Sequence, residues 1–250
     1  MTITDSGRAG DRVLARRVGR CYVCRFQGSF ELLCRSPREG FNCPECRSSL
    51  RYQHQAQTIV STLGGRAASL VALVETDAFQ GLRIFEPGVV GPFRKFWNDL
   101  PGYQNSYFWP DVTLGRSREG VRCEDLERLT FPDGSFDIIV SSDIFEHVRR
   151  PWDAFRSLLR VLAPGGWHVM SIPTSYPLPA VSEPRVDTST DEDRLLKPAV
   201  YHGSPKDPNG SLVYTDFGSD LPRLLTEEGY EVSVHHGPMN CNTYVMRRPI

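Results

Sequence analysis

The sequence predicts an α/β protein whose core is a doubly wound, mostly parallel seven-stranded sheet, preceded by a small N-terminal module. Three observations predict it. Between residues 82 and 173, short apolar runs bounded by turns alternate with segments of helical apolar spacing, as in parallel sheets covered by helices. Two further apolar runs near the C-terminus supply closing strands. Four paired cysteines mark the module, which we place in residues 1–51, with the main domain in 52–250.

The strands are predicted from β-branched and apolar runs that end at turn residues, and FDIIVSSD is the clearest of them. The predicted strands are 82–86, 104–109, 121–125, 136–143, 166–173, 230–236 and 242–248. Apolar spacing of three and four residues predicts the helices. The predicted helices are 52–80 (one or two, broken at Gly64-Gly65), 91–100, 152–162 and 215–229, and Pro164-Gly165-Gly166 is interpreted as a helix stop and strand start.

The cysteine spacing predicts a zinc site in the module. Cys21 and Cys24 form one CxxC pair, and Cys43 and Cys46 form a second, after eighteen intervening residues. Two such turns supply four tetrahedral thiolates, which is the ligand set of a structural zinc ribbon. A segment this short buries little core, so the metal would contribute most of its folding free energy. We interpret Cys34 as a small core residue, and its replacement of one ligand is the alternative.

Composition and charge bound the class of protein. A hydrophobic content of 40% and a charged content of 24% are typical of globular proteins. The sequence has no run of eighteen apolar residues and no apolar signal segment, so we expect no membrane span and a cytoplasmic location. Residues 1–51 have ten Arg against five acidic residues, whereas the whole chain has a net charge of −1. The main domain is therefore acidic, which disfavours a nucleic-acid-binding body; the basic module could still meet an anionic partner.

One stretch of the main domain resembles a known family. FPDGSFDIIVSSDIFEHV at 131–148 and LLRVLAPGGW at 158–167 are similar to the signature of the "type 11" group of class I S-adenosylmethionine-dependent methyltransferases. The resemblance extends over about 82–246. It implies a Rossmann-like methyltransferase fold that binds S-adenosylmethionine at the carboxyl edge of the sheet.

The resemblance also implies where the methionine end of this cofactor lies. The first strand of the family ends in an acid before a glycine-rich loop, and here Glu86 is followed by Gly88 and Gly91. Glu86 would orient the cofactor's amino group, and Gly88 would permit a sharp turn and close backbone approach. The sequence departs from the family pattern at Val90, where a glycine is expected, so that Gly91 comes one place late.

The nucleoside end is assigned in the same way. Asp111 is the candidate for the two ribose hydroxyls, because a carboxylate accepts two hydrogen bonds; Tyr107 or a neighbour is the alternative. Asp125 would accept from the adenine amino group, and the backbone amide of Leu126 would lie near the ring. The alternative for Asp125 is an N-cap of the helical turn that follows.

The acceptor side is assigned to the end of the fourth strand and to a lid. Ser142, a cofactor-binding candidate, and Asp143, a catalytic candidate, lie where the cofactor and substrate pockets of the family meet, and His147 is the general-base candidate. Glu146 is interpreted as a substrate contact, a metal ligand or a surface acid. Residues 174–211, rich in Pro, Ser, Asp and Gly, are predicted to form an irregular lid. Within it, Tyr201 and His202 are substrate candidates, and solvation of His202 is the alternative.

The resulting hypothesis is methyl transfer to a small-molecule acceptor, such as a sugar or specialised metabolite hydroxyl. Two alternatives remain. An RNA methyltransferase could use the basic zinc ribbon to grip its substrate. A binding protein or a non-methylating enzyme could use the same fold, with the irregular glycine loop as the sign of altered function.

Overall fold

The computed structural model describes residues 13–174, 177–203 and 207–250. The strands are β1 Ala15–Arg20, β2 Gln27–Leu32, β3 Ile84–Pro87, β4 Tyr103–Tyr107, β5 Ser117–Arg118, β6 Val121–Cys123, β7 Phe136–Ser142, β8 Leu162–Ser171, β9 Glu183–Pro184, β10 Val186–Asp187, β11 Arg194–Leu195, β12 Tyr201–His202, β13 Ser211–Leu212, β14 Thr215–Asp216, β15 Glu231–His235 and β16 Thr243–Arg247. The helices are α1 Leu50–Leu63, α2 Leu70–Val74, α3 Asp77–Gln80, α4 Arg94–Trp97, α5 Pro151–Val161 and α6 Leu221–Glu227.

The central sheet has the order β15-β16-β8-β7-β3-β4-β6-β5. The strands from β8 to β6 are parallel, whereas β16 runs antiparallel to β8, and β15 to β16. The predicted α/β fold class is therefore confirmed. The sheet has eight strands instead of the predicted seven, because β5 forms a short hairpin with β6. Gly120, with φ of 77°, makes the turn of that hairpin.

Helices cover the sheet on both faces. Successive side chains of β7 point to opposite faces, so they pack into both helical layers. Ile138 and Val140 belong to the apolar cluster that contains the buried face of α1. Ile139 lies in a second cluster with α5 and α6, in which the rings of Phe145 and Phe155 stack at 4.1 Å. These two layers fix the carboxyl ends of β3 and β7 at one edge.

The interpretation of Pro164-Gly165-Gly166 as a break between helix and strand is wrong. Strand β8 starts immediately after α5, at Leu162, which pairs with Phe136. The register then shifts, so that Ile138 faces Trp167. The three turn-forming residues therefore lie inside the strand, as an irregularity that gives Gly165 a φ of 74°.

The predicted lid is more regular than its composition indicates. Its described residues take part in three antiparallel pairs of two-residue strands: β10 with β11 within the lid, β12 with β13 at its end, and β9 with β14, which follows the lid. Because β14 uses residues 215 and 216, helix α6 starts at Leu221 instead of 215. Within the described part of the chain, no helix is long and apolar enough to cross a membrane.

Candidate functional site

The two CxxC pairs form one cluster. The Sγ atoms of Cys21, Cys24, Cys43 and Cys46 all lie within 4.8 Å of one another. Sulfurs from opposite pairs are 3.6 Å apart, both between Cys21 and Cys46 and between Cys24 and Cys43. Tetrahedral zinc with bonds of about 2.3 Å places its sulfurs about 3.8 Å apart. The donor set therefore fits a structural zinc ion.

Both turns of the cluster have the same backbone geometry. The amide of Arg25 donates to the carbonyl of Cys21 at 3.1 Å, and the amide of Arg47 donates to that of Cys43 at 2.9 Å. Arg25 and Arg47 have φ of 73° and 64°, which is the left-handed conformation that closes such a turn. The first turn joins β1 to β2, and the second leads into α1.

Cys34 lies outside this cluster, but its interpretation as a core residue is wrong. The residue is exposed. Its thiol donates to the carbonyl of Ser36 at 3.2 Å. Cys34 lies two residues after the end of β2, in an exposed segment of the module.

The N-terminal module contacts the carboxyl edge of the sheet at Asp143. The guanidinium of Arg38 donates two hydrogen bonds to this carboxylate, at 2.6 and 2.7 Å, and Nε of Arg51 lies 3.2 Å from it. Ser171 Oγ adds a third hydrogen bond at 2.9 Å. Burial acts to raise the pKa of Asp143, but the hydrogen bond from Arg38 and the charges of Arg51 and Arg38 hold it below its usual value. The carboxylate is therefore ionised and fully engaged.

Gln55, which is fully buried in α1, ties this helix to the same edge. Its Nε2 donates to the carbonyls of Ser141 at 2.9 Å and Val169 at 3.3 Å. Its Oε1 accepts from Ser142 Oγ at 2.6 Å. The ends of β7 and β8 are thus capped by one amide side chain, and Ser142 is held by it.

Glu86 is buried at the end of β3 and faces the glycine loop. Its Oε2 accepts from Trp97 Nε1 at 2.9 Å and from the Tyr103 hydroxyl at 2.8 Å. Burial raises the pKa of Glu86 to about 7, against the lowering effect of these two donors and of Arg94. Among the described residues, neither donor is directed at Oε1, so this oxygen remains available to a cation.

The glycine loop leaves space beside that oxygen. A Cβ atom on Gly91 would lie 3.3 Å from Glu86 Oε1 and 3.9 Å from the Tyr52 hydroxyl. Gly88 has φ of 104° and its amide donates to the Ser106 carbonyl at 2.8 Å. An open pocket of about 400 Å³ adjoins the loop. Its lining comes from the module, α1 and the loop: Glu39, Asn42, Cys46, Arg47, Ser49, Tyr52, Gly91 and Pro92.

The two ribose candidates lie at different places. Tyr107 is the last residue of β4 and pairs with Cys123 of the neighbouring strand. Asp111 follows four residues later, and both of its oxygens accept from Arg118, at 3.2 and 2.6 Å. This bond lowers the pKa of Asp111. Tyr107 thus lies at the strand end, whereas Asp111 is committed to an exposed ion pair.

The adenine candidates lie after β6. Asp125 is the N-cap of a 3₁₀ turn, Leu126–Arg128, and accepts from the amide of Glu127 at 3.0 Å. It also contacts Arg128 at 3.2 Å. The capping alternative is therefore realised, and the second oxygen is only partly satisfied by an exposed arginine. Leu126 is half-buried at the first position of the turn.

The acceptor-side candidates form one group. Glu146 and His147 lie in a 3₁₀ turn after β7, and His202 lies on β12 of the lid. Glu146 Oε1 is 3.4 Å from His147 Nε2 and 3.5 Å from His202 Nδ1. Tyr201, the residue before His202, is exposed and belongs to the same hairpin. The structure thus brings the predicted substrate residues and the base candidate together.

Several residues of the edge have no sequence signal. Arg38, Arg51 and Gln55 come from the module and from α1, far along the chain from the strands that they contact. Trp97 and Tyr103 follow the glycine loop, but no spacing rule assigns them to Glu86. An aromatic residue that is fully buried beside a buried acid is visible only once the fold is known.

Part of this chain matches a family model. The family is described as a methyltransferase domain and it matches residues 111–170. This segment runs from the loop after β4 into β8 and contains Asp125, Ser142, Asp143 and His147. The match confirms the resemblance to the type 11 methyltransferases over this part of the chain.

Curated relatives also match over short stretches of the chain. An uncharacterized methyltransferase of Mycobacterium tuberculosis is 51% identical over 57 residues, which are 23% of this chain and 22% of that protein. One from Mycolicibacterium gilvum is 51% identical over 43 residues, 17% of each chain. The chain therefore spans about a fifth of the length of these relatives.

Solved structures of similar fold include an S-adenosylmethionine-dependent methyltransferase from Mesorhizobium loti, with 18% identity, a TM-score of 0.44, and coverage of 67% of this chain and 91% of that one. Another is CalS10 from Micromonospora echinaspora, an amino pentose methyltransferase with bound S-adenosylmethionine. Its identity is 11% and its TM-score is 0.47, with coverage of 79% of this chain and 94% of that one.

Proposed function

We propose that this chain transfers a methyl group from S-adenosylmethionine to a small-molecule acceptor. The observation that carries this proposal is the cradle formed by Glu86 and Gly91. A buried carboxyl with one oxygen free faces a glycine whose missing side chain leaves space for a ligand. The cofactor has an ammonium group that such an oxygen can bind through a charge-assisted hydrogen bond.

The proposal assigns residues of this edge to each part of the cofactor. We assign Glu86, Gly88 and Gly91 to its methionine part, and Asp125 and Leu126 to its adenine. For the ribose we retain Asp111, with Tyr107 as the better placed alternative. Ser142 is assigned to the middle of the site, where Gln55 holds its hydroxyl. When bound, the cofactor supplies an electrophilic methyl group on a sulfonium.

The chain's own contribution is positioning and proton removal. Transfer to an acceptor oxygen requires in-line alignment of that oxygen with the methyl group. Holding the two reactants in this geometry contributes more to the rate than a strong base does. We assign His147 as the general base, since Nδ1 donates to the Leu212 carbonyl at 2.8 Å and leaves Nε2 free of its proton. Asp143 is assigned to positioning, because both of its oxygens already accept hydrogen bonds.

The lid supplies the acceptor contacts in this proposal. Tyr201, His202 and Glu146 are assigned to the substrate, which we propose to be a sugar or a specialised metabolite with a hydroxyl group. The zinc ribbon has a structural part: the ion would hold the two cysteine turns together, and the folded module presents Arg38 to Asp143.

The contacts of the module weaken the alternative of an RNA methyltransferase. Most of its described arginines are paired with carboxylates or packed against aromatic rings, even where the side chain is exposed. Arg38 and Arg51 bind Asp143, Arg16 binds Glu31, Arg25 binds Glu75, and Arg17 covers the ring of Phe30. A salt-sensitive phosphate interaction requires free cationic groups.

Calorimetric titration with S-adenosylmethionine tests the proposal. We expect saturable binding that Glu86→Gln weakens about tenfold or more, because a hydrogen bond to a charged group contributes about 1.5–3 kcal/mol. Gly91→Ala should also weaken binding, since the added Cβ fills the cradle. Gly120→Ala is the matched control: it also has positive φ, but it has no heavy atom within 4 Å of an added Cβ.

Absence of cofactor binding by the wild-type protein would contradict the proposal and favour a binding protein on this fold. Binding without methyl transfer to any hydroxylated acceptor would favour a non-methylating enzyme. Equal binding by the Glu86 and Gly91 variants would remove these two residues from the site.

A further inference from the structure

The side chain of Glu146 is buried and has no hydrogen bond within the described part of the chain. Only 2% of its side chain is exposed, and neither carboxylate oxygen has a hydrogen-bond partner among the described residues. Its backbone is well fixed, because the carbonyl accepts from the amide of Tyr214 at 2.7 Å. A buried carboxyl group without a partner is costly and is rare in folded proteins. The position therefore points to a cation that completes it.

Two imidazole nitrogens face this carboxylate. His147 Nε2 lies 3.4 Å and His202 Nδ1 lies 3.5 Å from Glu146 Oε1. The His147 ring is held by its other nitrogen, which donates to the Leu212 carbonyl at 2.8 Å. This donation fixes the tautomer in which Nε2 carries a lone pair, the arrangement found in metal-binding histidines.

The distances match those of a metal site. The ligand atoms of Glu146, His147 and His202 all lie within 4.8 Å of one another. In a tetrahedral site with bonds of about 2.0–2.1 Å, two ligand atoms are about 3.3 Å apart, close to the two nitrogen–oxygen distances here. Two imidazoles and one carboxylate are a ligand set that suits zinc and other divalent transition metals.

We propose that Glu146, His147 and His202 bind a divalent first-row transition metal ion, at a site separate from the cysteine cluster. Glu146 and His147 follow the strand at the centre of the sheet, whereas His202 and the carbonyl that orients His147 belong to the lid hairpin β12–β13. The ion would join the lid to the sheet. The 40% exposure of the His202 side chain leaves one side open to a water or another oxygen ligand.

The site also suggests a role in the proposed methyl transfer. Only this role, and not the metal site itself, rests on the proposed function. An acceptor hydroxyl would take the open position, and a metal-bound hydroxyl loses its proton more readily than a free one; the proton would pass to solvent water on the exposed side of His202. His147 would then act as a ligand instead of as a base, and Glu146 and His202 would hold the acceptor through the ion instead of directly. Metal binding itself requires no cofactor and no acceptor, so it can be tested independently.

The test is a titration of the full-length protein with Co²⁺, after metal analysis has established that the cysteine cluster holds zinc. We expect one further equivalent to bind, with visible d–d absorption and without the intense near-ultraviolet band of cobalt thiolates. Glu146→Gln and His202→Ala should each weaken this binding about tenfold or more, since even removal of a supporting contact typically costs 10–100-fold. His236→Ala, which removes an exposed histidine on another loop, is the matched control.

Binding of one equivalent by the wild type and the His236 variant, with loss in the other two, supports the site. No saturable Co²⁺ binding by the wild type, or equal binding by all variants, overturns it. His202→Ala decides the question if Glu146→Gln misfolds, because His202 is partly exposed. Cofactor binding in the same samples shows separately whether the proposed function holds.

Discussion

Arg38 and Asp143, 105 residues apart in the chain, form a two-point hydrogen-bonded ion pair at 2.6 and 2.7 Å. Arg38 belongs to the N-terminal module with the four-cysteine cluster, and Asp143 follows the central strand of the sheet. The side chains are 13% and 17% exposed. The pair therefore fastens the module to the edge at which we place the cofactor and the acceptor.

Replacement of Asp143 should destabilise the protein strongly. Asp143→Asn keeps the shape of the side chain but leaves Arg38 and Arg51 without their common partner, and breaking a buried ion pair in this way typically costs about 3–5 kcal/mol. The free energy of unfolding from urea denaturation measures the effect. Asp133→Asn, which breaks an exposed pair with Arg160, should cost about 1 kcal/mol or less.

The same pair predicts an acid-dependent loss of stability. Because the pKa of Asp143 is lowered in the folded protein, its contribution is present above the ordinary pKa of an aspartate. It is lost as pH falls from that value through the lowered pKa of the folded state. The wild type should lose stability more steeply than Asp143→Asn over this acid range. Parallel curves for the two proteins would contradict the assignment.

Binding of S-adenosylmethionine should depend on pH through Glu86. The raised pKa, about 7, means that the free site is largely protonated below neutral pH. A bound ammonium group favours the carboxylate, so affinity should increase as pH rises through about 7 and level off above it. Calorimetry across this range measures the dependence, and Glu86→Gln should abolish it.

The free protein should show the opposite trend. A carboxyl group whose pKa is raised by folding contributes stability below its unfolded pKa, and this contribution is lost as pH rises through about 7. Without cofactor, the stability measured by thermal unfolding should therefore decrease towards alkaline pH, and it should decrease less in Glu86→Gln. A wild-type stability that increases across this interval would contradict the burial of Glu86 as an acid.

Loss of one zinc ligand should unfold the module. Cys46→Ser removes a buried thiolate from the cluster, whereas Cys34→Ser changes an exposed thiol outside it. We expect about one zinc ion per chain in the wild type and in Cys34→Ser, and its loss in Cys46→Ser, with faster proteolysis before α1. Normal zinc content in Cys46→Ser would contradict the four-thiolate site.

Truncation of Gln55 should loosen the sheet edge. Gln55→Ala removes three hydrogen bonds and leaves two buried carbonyl groups without this donor, and each unsatisfied group costs about 1–3 kcal/mol. Gln57→Ala, on the exposed side of α1, should change stability by less than about 0.5 kcal/mol. Urea denaturation of both variants makes the comparison, and similar midpoints would remove Gln55 from the edge.

The parts of the fold that were predictable are those with a local signal. The apolar run of β7 and the helical spacing of α5 are repeated patterns within a few residues, and the CxxC spacing reflects the demand of one ion. Pro164 to Gly166 misled the prediction, because turn residues also occur at irregularities within strands. The extra strand β5 is only two residues long and has no period to detect.

The site was predictable only in part, for a physical reason. Glu86, Asp143 and His147 follow strands, and strand ends meet at one edge in a parallel sheet. Their partners do not follow this rule. Arg38 lies in a loop of the module, and its pairing with Asp143 depends on how the module packs against the sheet. No periodicity or motif encodes that arrangement.

The hydrogen bonds of Gln55 have a consequence for the order in which the chain acquires its structure. Its two carbonyl partners lie 86 and 114 residues further along the sequence, and synthesis proceeds from the N-terminus. The module and α1 are therefore synthesised before their partners, and Gln55 cannot form these hydrogen bonds until β7 and β8 have left the ribosome. Contacts of such long sequence separation slow folding. The module and α1 can therefore reach their final position only after strands that are synthesised later have formed.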